Sequence, residues 1–170
     1  MEARSWLGWI DVVNEWVGRI LSFLIIPMTV ITVIEVILRY VFNRPTLWAW
    51  DINTMLLGAF TVLTGGYVLL KDGHVAMDVF VSRFSLRVRA VVALVTSLLF
   101  FFSIGLLVWQ SGISAWESFM MREQVNSVWG PPLYPLKILW PIGVFLVLLQ
   151  GVAKFIRDLN DARSKEAKNR

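Results

Sequence analysis

The chain has 170 residues, 57% hydrophobic and only 16% charged, against about 25% charged in an ordinary soluble domain, so one small water-soluble core is excluded as a home for its apolar surface. Cysteine is absent, which excludes disulfides, thiolate metal sites, iron–sulfur clusters and covalently attached haem. The net charge of +4 does not point to nucleic acid, because the basic residues gather at the ends of apolar runs and in the tail Lys154 to Arg170, where they orient a chain in a membrane.

Taken in chain order, residues 1–16 predict an amphipathic helix lying in the membrane interface. Trp6, Trp9, Ile10, Val13, Trp16 and Val17 recur at three- and four-residue spacing opposite Arg4, Asp11, Asn14 and Glu15, and the amphipathic indole ring suits that depth. The first long apolar run begins near Ile20 and no small-residue cleavage site closes it, so it reads as an uncleaved anchor. A first membrane span is expected over 17–38, with Pro27 kinking it. Near its outer end Glu35 and Arg39 stand four apart, acid before base, the favoured order for a helical ion pair.

The second span, 48–70, opens with Asp51 in its first turn, where a carboxylate gains from the helix dipole. Gly58 and Gly65 are seven apart with Thr61 between them and offer a close-packing face to a helix of this chain or of another subunit. Next come Lys71, Asp72, Gly73 and His74. His74 is the only histidine, so haem held between two histidines of this chain is excluded, and a metal site on His74 and Asp78 lacks ligands. Both residues are expected to fix the connection or to touch a partner.

The third span, 90–116, contains no ionisable group. A polar, proline-rich outer turn follows, with Arg122, Glu123, Asn126, Ser127, Trp129 and Pro131. The fourth span, 133–155, carries Pro135 in its first turn and Pro141 deeper, and Lys137 can snorkel to the headgroups. Residues 156–170 form a polar tail. The expected fold is therefore an all-α integral membrane protein with four transmembrane helices and an N-terminal interfacial amphipathic helix.

Orientation follows from the basic residues. Arg4, Arg19, Lys71, Arg83, Arg87, Arg89 and the tail lie on one side, against Arg39, Arg44, Arg122 and Lys137 on the other. Cytoplasmic segments carry the excess, so both termini and the second-to-third connection are expected in the cytoplasm. No nucleophile–base pair, phosphate loop or metal-ligand cluster appears in the sequence, nor the interrupted inverted repeats of a self-sufficient transporter. A non-enzymatic helper subunit without a cofactor fits this pattern.

From Glu35 to Asp78 the order is specific. Arg39-Tyr40-Val41-Phe42-Asn43-Arg44-Pro45 is followed by Trp48 and Asp51, a glycine-bearing apolar span with Gly65, then Gly73-His74 and Asp78. This run resembles the small membrane subunit of the tripartite ATP-independent periplasmic (TRAP) transporters, the DctQ-like family. A weaker likeness extends through the four-span layout and Ser127 to Pro135. Two positions depart from the family pattern: Asp51 alone follows Trp50 where consecutive acids are common, and Val75-Ala76-Met77 lacks the usual basic residue.

The resemblance implies a bacterial inner-membrane complex of three proteins. A large multi-span permease subunit moves an organic acid with an ion gradient, and a periplasmic solute-binding protein delivers it. The small subunit braces the large one in the lipid while a mobile domain moves, and helps to dock the binding protein. On this basis Glu35, Arg39, Tyr40, Phe42, Asn43, Trp48, Asp51, Gly65, His74 and Asp78 are expected to be structural or partner-contact positions. Arg44, Glu117, Arg122 and Glu123, on the outer side, are candidate contacts for the binding protein. The alternatives are a membrane anchor of a respiratory or redox enzyme and a small ion channel using Glu35 and Asp51.

Overall fold

The computed structural model describes residues 2–71 and 86–168; His74 and Asp78 lie outside the described residues. The helices among the described residues are α1 (Glu2–Ser22), α2 (Ile25–Tyr40), α3 (Ala49–Leu70), α4 (Leu86–Met121) and α5 (Tyr134–Lys168). Four stretches are long and apolar enough to cross a membrane: Trp6–Tyr40, Ala49–Leu70, Val95–Met121 and Tyr134–Asp158. The chain is an all-α, multi-pass membrane protein.

The first of these stretches is interrupted at Phe23 and Leu24, and Pro27 is the cause. Proline has no N–H for the carbonyl four residues back and its ring crowds that carbonyl. The Phe23 carbonyl therefore takes the Ile26 N–H (3.1 Å), while the N–H groups of Phe23 and Leu24 bond to Ile20 and Leu21 (3.1 and 2.9 Å). The kink expected from Pro27 is present, one turn toward the N-terminus. Pro141, by contrast, is accommodated within a continuous α5.

α5 is the spine of the assembly: α3 packs along one side of it and α4 along another, α1 crosses α3 and touches α5, and α2 rests on α3. Among the described residues the buried apolar side chains of the core are few and mostly small, namely Ala49, Leu69, Ala115 and Ala153. In lipid, helices associate through close backbone approach rather than through an oily core. The tightest approach to another helix's backbone is at Gly143, where an added Cβ would lie 2.6 Å from the Val62 carbonyl oxygen. Gly65 faces Val147 and Gly58 faces Leu136, so the glycine face of the second span meets a helix of this same chain. Thr61 is exposed and belongs to a different face. α4 is held on α5 by Gly151 against the Phe100 ring and by edge-to-face pairs Phe101–Phe155 and Phe119–Tyr134, with centroids 5.6 and 6.0 Å apart.

α1 uses its two faces in opposite ways. Trp6, Trp9 and Trp16 are 76%, 69% and 66% exposed, whereas Asn14 is 1% exposed. The polar stripe is turned onto the other helices: Asn14 Nδ2 donates to Gln150 Oε1 (2.9 Å), Gln150 Nε2 to Asp11 Oδ1 (3.0 Å) and Arg157 Nη2 to Asp11 Oδ2 (2.6 Å). Asn14 also lies on the bare Cα of Gly66, where a Cβ has no room. Glu15 pairs with Arg19 and Lys71.

Candidate functional site

Most of the described residues singled out by the sequence motif collect at one end of the assembly, where the α2–α3 turn and the α4–α5 loop cap the helices. Asn43 ends α2 in the left-handed conformation (φ 51°), which asparagine tolerates better than most residues. That turn lets the Arg44 N–H reach the Leu38 carbonyl (2.9 Å), and Pro45 then prevents helix from resuming.

Glu35 ties this turn together. Its Oε1 accepts from Arg39 Nε (3.1 Å) and Nη2 (2.6 Å), and its Oε2 accepts from the Thr46 backbone N–H (3.1 Å) and hydroxyl (2.5 Å). Thr46 Oγ1 in turn accepts from the Ala49 N–H (3.3 Å) at the start of α3. A carboxylate so close to hydrocarbon is costly unless its oxygens are satisfied, and here every acceptor direction serves to join α2, the turn and α3. The ion pair read from the four-residue spacing exists, and Thr46 is the partner that sequence reasoning missed.

Asp51 anchors a second tie. It is 6% exposed and accepts a 2.5 Å hydrogen bond from Ser127 Oγ, in the α4–α5 loop. Ser127 Oγ accepts from the Gly130 N–H (3.0 Å), and the loop closes through Val125 N–H to Pro131 O (2.9 Å) and Leu133 N–H to Glu123 O (2.8 Å). Lys137 reaches up from α5 to Glu123 Oε2 (2.5 Å). That ammonium hydrogen bond holds the Glu123 carboxyl below its usual range. The first-turn acid is thus also a cross-brace between α3 and a loop 76 residues away.

Around these ties lies an uncommitted rim. Arg44, Glu117 and Arg122 are exposed and their side chains make no hydrogen bond or ion pair among the described residues, while Glu123 is engaged by Lys137 and Arg39 by Glu35. Tyr40, Phe42 and Trp50 are 79%, 62% and 79% exposed and Trp48 is partly so, the aromatic clustering of a membrane–water boundary. Val128, at the tip of the α4–α5 loop, is 85% exposed. Gly65 lies away from this end, in the α3–α5 seam. Among the described residues no group of three His, Asp or Glu could hold a metal ion.

A second polar cluster, Asp11–Asn14–Gln150–Arg157, sits toward the opposite end. Its only signal in the sequence is Gln150, a polar interruption in the apolar run from Ile138 to Ala153. Intramembrane polar groups of this kind find one another because lipid offers no alternative partner.

Residues 28–161 match the family model of the tripartite ATP-independent periplasmic transporters, DctQ component. The chain is also 34% identical over 93 residues to the C4-dicarboxylate TRAP transporter small permease protein DctQ of Vibrio cholerae serotype O1, a match covering 52% of this chain and 40% of that relative. The chain therefore spans well under two thirds of the relative it matches. With the family model covering most of its length, and four apolar helices arranged as above, the chain belongs to the DctQ family of small TRAP transporter subunits.

Proposed function

We propose that this chain braces the large, multi-span permease subunit of a TRAP transporter in the bacterial inner membrane and offers its outer end to a periplasmic solute-binding protein, during ion-coupled uptake of an organic acid. The observation that carries this reading is the outer end itself. Two independent ties, Glu35–Thr46 and Asp51–Ser127, make it rigid, while Arg44, Glu117 and Arg122 stay uncommitted on its rim. A fixed platform with free charges suits docking, because rim charges steer encounter and fix register. The C4-dicarboxylate named for the Vibrio relative gives the acid class its support.

In this reading both termini face the cytoplasm, following the one-sided distribution of Lys and Arg. α1 lies along the inner interface with Trp6, Trp9 and Trp16 toward the acyl chains. Its buried polar face fastens it to α3 and α5, so the helix acts as an outrigger that fixes depth and tilt. Glu35 and Asp51 are held in structural hydrogen bonds near one end rather than strung across the membrane as a proton path would require.

The test is uptake by the reconstituted three-protein transporter with Arg44→Glu, Glu117→Lys and Arg122→Glu combined. Binding-protein docking and uptake should fall together while co-purification with the permease is retained. Docking and uptake at the unaltered level would reject the outer rim as the docking surface.

A further inference from the structure

The exposed hydroxyls of α2 and α3 are mostly satisfied within their own helices: Thr29 donates to Ile25 O (2.8 Å), Thr32 to Met28 O (2.8 Å) and Thr54 to Trp50 O (2.9 Å). α4 differs. Thr96, Ser103, Gln110 and Glu117 follow one another at seven-residue intervals, all four are exposed, and none makes a side-chain hydrogen bond among the described residues. At about 1.5 Å per residue the line is roughly 32 Å long, close to the roughly 30 Å of a hydrocarbon core. The two middle members, Ser103 and Gln110, therefore lie at depths where neither water nor headgroups can satisfy them. α5, the neighbouring helix, has a purely apolar free strip by comparison, with Ile138, Ile142 and Phe145 exposed.

The line also has a definite place in the assembly. α5 meets α3 through Leu136, Gly143 and Val147 and meets α4 through Gly151 and Phe155. With a step of about 100° per residue those faces are roughly 100° apart around α5, so α3 and α4 converge on one side of it and leave a furrow between them. Trp140 of α5, 37% exposed, falls between the two faces and floors the furrow. The right-handed turn of α3 and α4 places Thr61 on one bank and the Ser103–Gln110 line on the other.

We propose that this furrow seats one transmembrane helix of the large permease subunit, with Thr96, Ser103 and Gln110 as its hydrogen-bonding line. The inference rests on the reading of this chain as a brace for that subunit. A lipid chain offers these groups nothing, whereas a neighbouring helix can present hydrogen-bonding side chains along its length. A strict seven-residue period selects a long partner crossing at the shallow left-handed angle of about +20°, so one helix can follow the line from end to end. The partner helix carries small or hydrogen-bonding residues at matching intervals, since only these approach closely enough to pair.

The experiment uses the complete transporter in native membranes. A photoreactive phenylalanine is placed at position 103 or 110, with position 145 on the apolar strip of α5 as control, and the adducts are identified by mass spectrometry. In parallel, Ser103→Leu with Gln110→Leu is scored for permease co-purification and for the thermal stability of this chain alone. Adducts to the large subunit from 103 and 110 but not from 145, with co-purification reduced roughly 5- to 30-fold and unchanged stability of the isolated chain, are expected. Adducts to a second copy of this chain, or to lipid alone, overturn the proposal, as does unaltered co-purification of the double variant. If the wild-type chain brings down no large membrane subunit at all, the brace reading itself fails, an outcome separable from cross-links that map to another face of a complex that does form.

Discussion

Gly143 offers the sharpest test of how the helices are held. A Cβ on this residue would stand 2.6 Å from the carbonyl oxygen and 2.8 Å from the carbonyl carbon of Val62, where an ordinary carbon–oxygen contact is about 3.3–3.6 Å. The shortfall, at least about 0.7 Å, is against backbone, so no rotamer change relieves it. α3 and α5 must separate, which also loosens Gly65 against Val147 and Gly58 against Leu136 in the same seam. Overpacking of this kind costs about 1–3 kcal/mol. For a chain of this length that corresponds to a fall of roughly 2–12 °C in unfolding temperature, measurable in detergent by the fluorescence of the nine tryptophans. Gly105→Ala is the matched control, because nothing lies within 4 Å of its Cβ position, and alanine favours the helix by about 1 kcal/mol. Its Tm should hold or rise. Gly143→Ala melting at or above the wild type would refute the reasoning. So would full recovery on adding Val62→Ala, since that change removes the Val62 methyl groups but leaves the carbonyl in place.

Asn43→Gly should be nearly neutral and Asn43→Val should cost about 1–2 kcal/mol, because the position requires a left-handed backbone that a β-branched residue resists; denaturant titration of the two variants checks this. In the Asp11–Asn14–Gln150–Arg157 cluster, Gln150→Leu removes one hydrogen-bond partner each from Asn14 and Asp11 and should cost about 1–2 kcal/mol. Adding Asn14→Leu should then cost less than it does alone, which a double-mutant cycle reads directly. For pH, the folded-state pKa of Glu123 is lowered by Lys137 from the usual 4.5. Its contribution to stability is therefore complete above that value and disappears as pH falls through the lowered one. Melting curves of wild type and Glu123→Gln should differ at pH 7 and merge in strong acid; a gap that persists unchanged at the lowest pH would contradict the ion pair as its source.

Long apolar runs made the four spans legible, since hydrocarbon imposes length and composition directly on a helix. Local pairings were equally readable: Glu35–Arg39 is a matter of four-residue spacing, and Pro27 announces a break. What escaped depended on distant chain segments. Gly58 and Gly65 declare a close approach but not the approaching helix, and Gly143 proved the tighter site because its partner is a backbone carbonyl, to which no side-chain pattern points. Asp51 reads as a dipole-favoured helix start. Its tie to Ser127 requires knowing that a loop 76 residues later folds over it. The polar side of α1 looks like a water-facing stripe under hydrophobic periodicity. Periodicity reports only that two faces differ, and here the polar one is the protein-facing one.

That inversion in α1 has a consequence in time. Asn14 and Asp11 are synthesised well before their partners Gln150 and Arg157, which follow 136 and 146 residues later. At about 5–20 residues per second the wait is roughly 7–30 s. Throughout it Asn14 and Asp11 lack the Gln150 and Arg157 side chains that engage them in the finished fold. The contact of α1 with α5 closes only once α5 is in place, so completion of that late helix is what α1 registers.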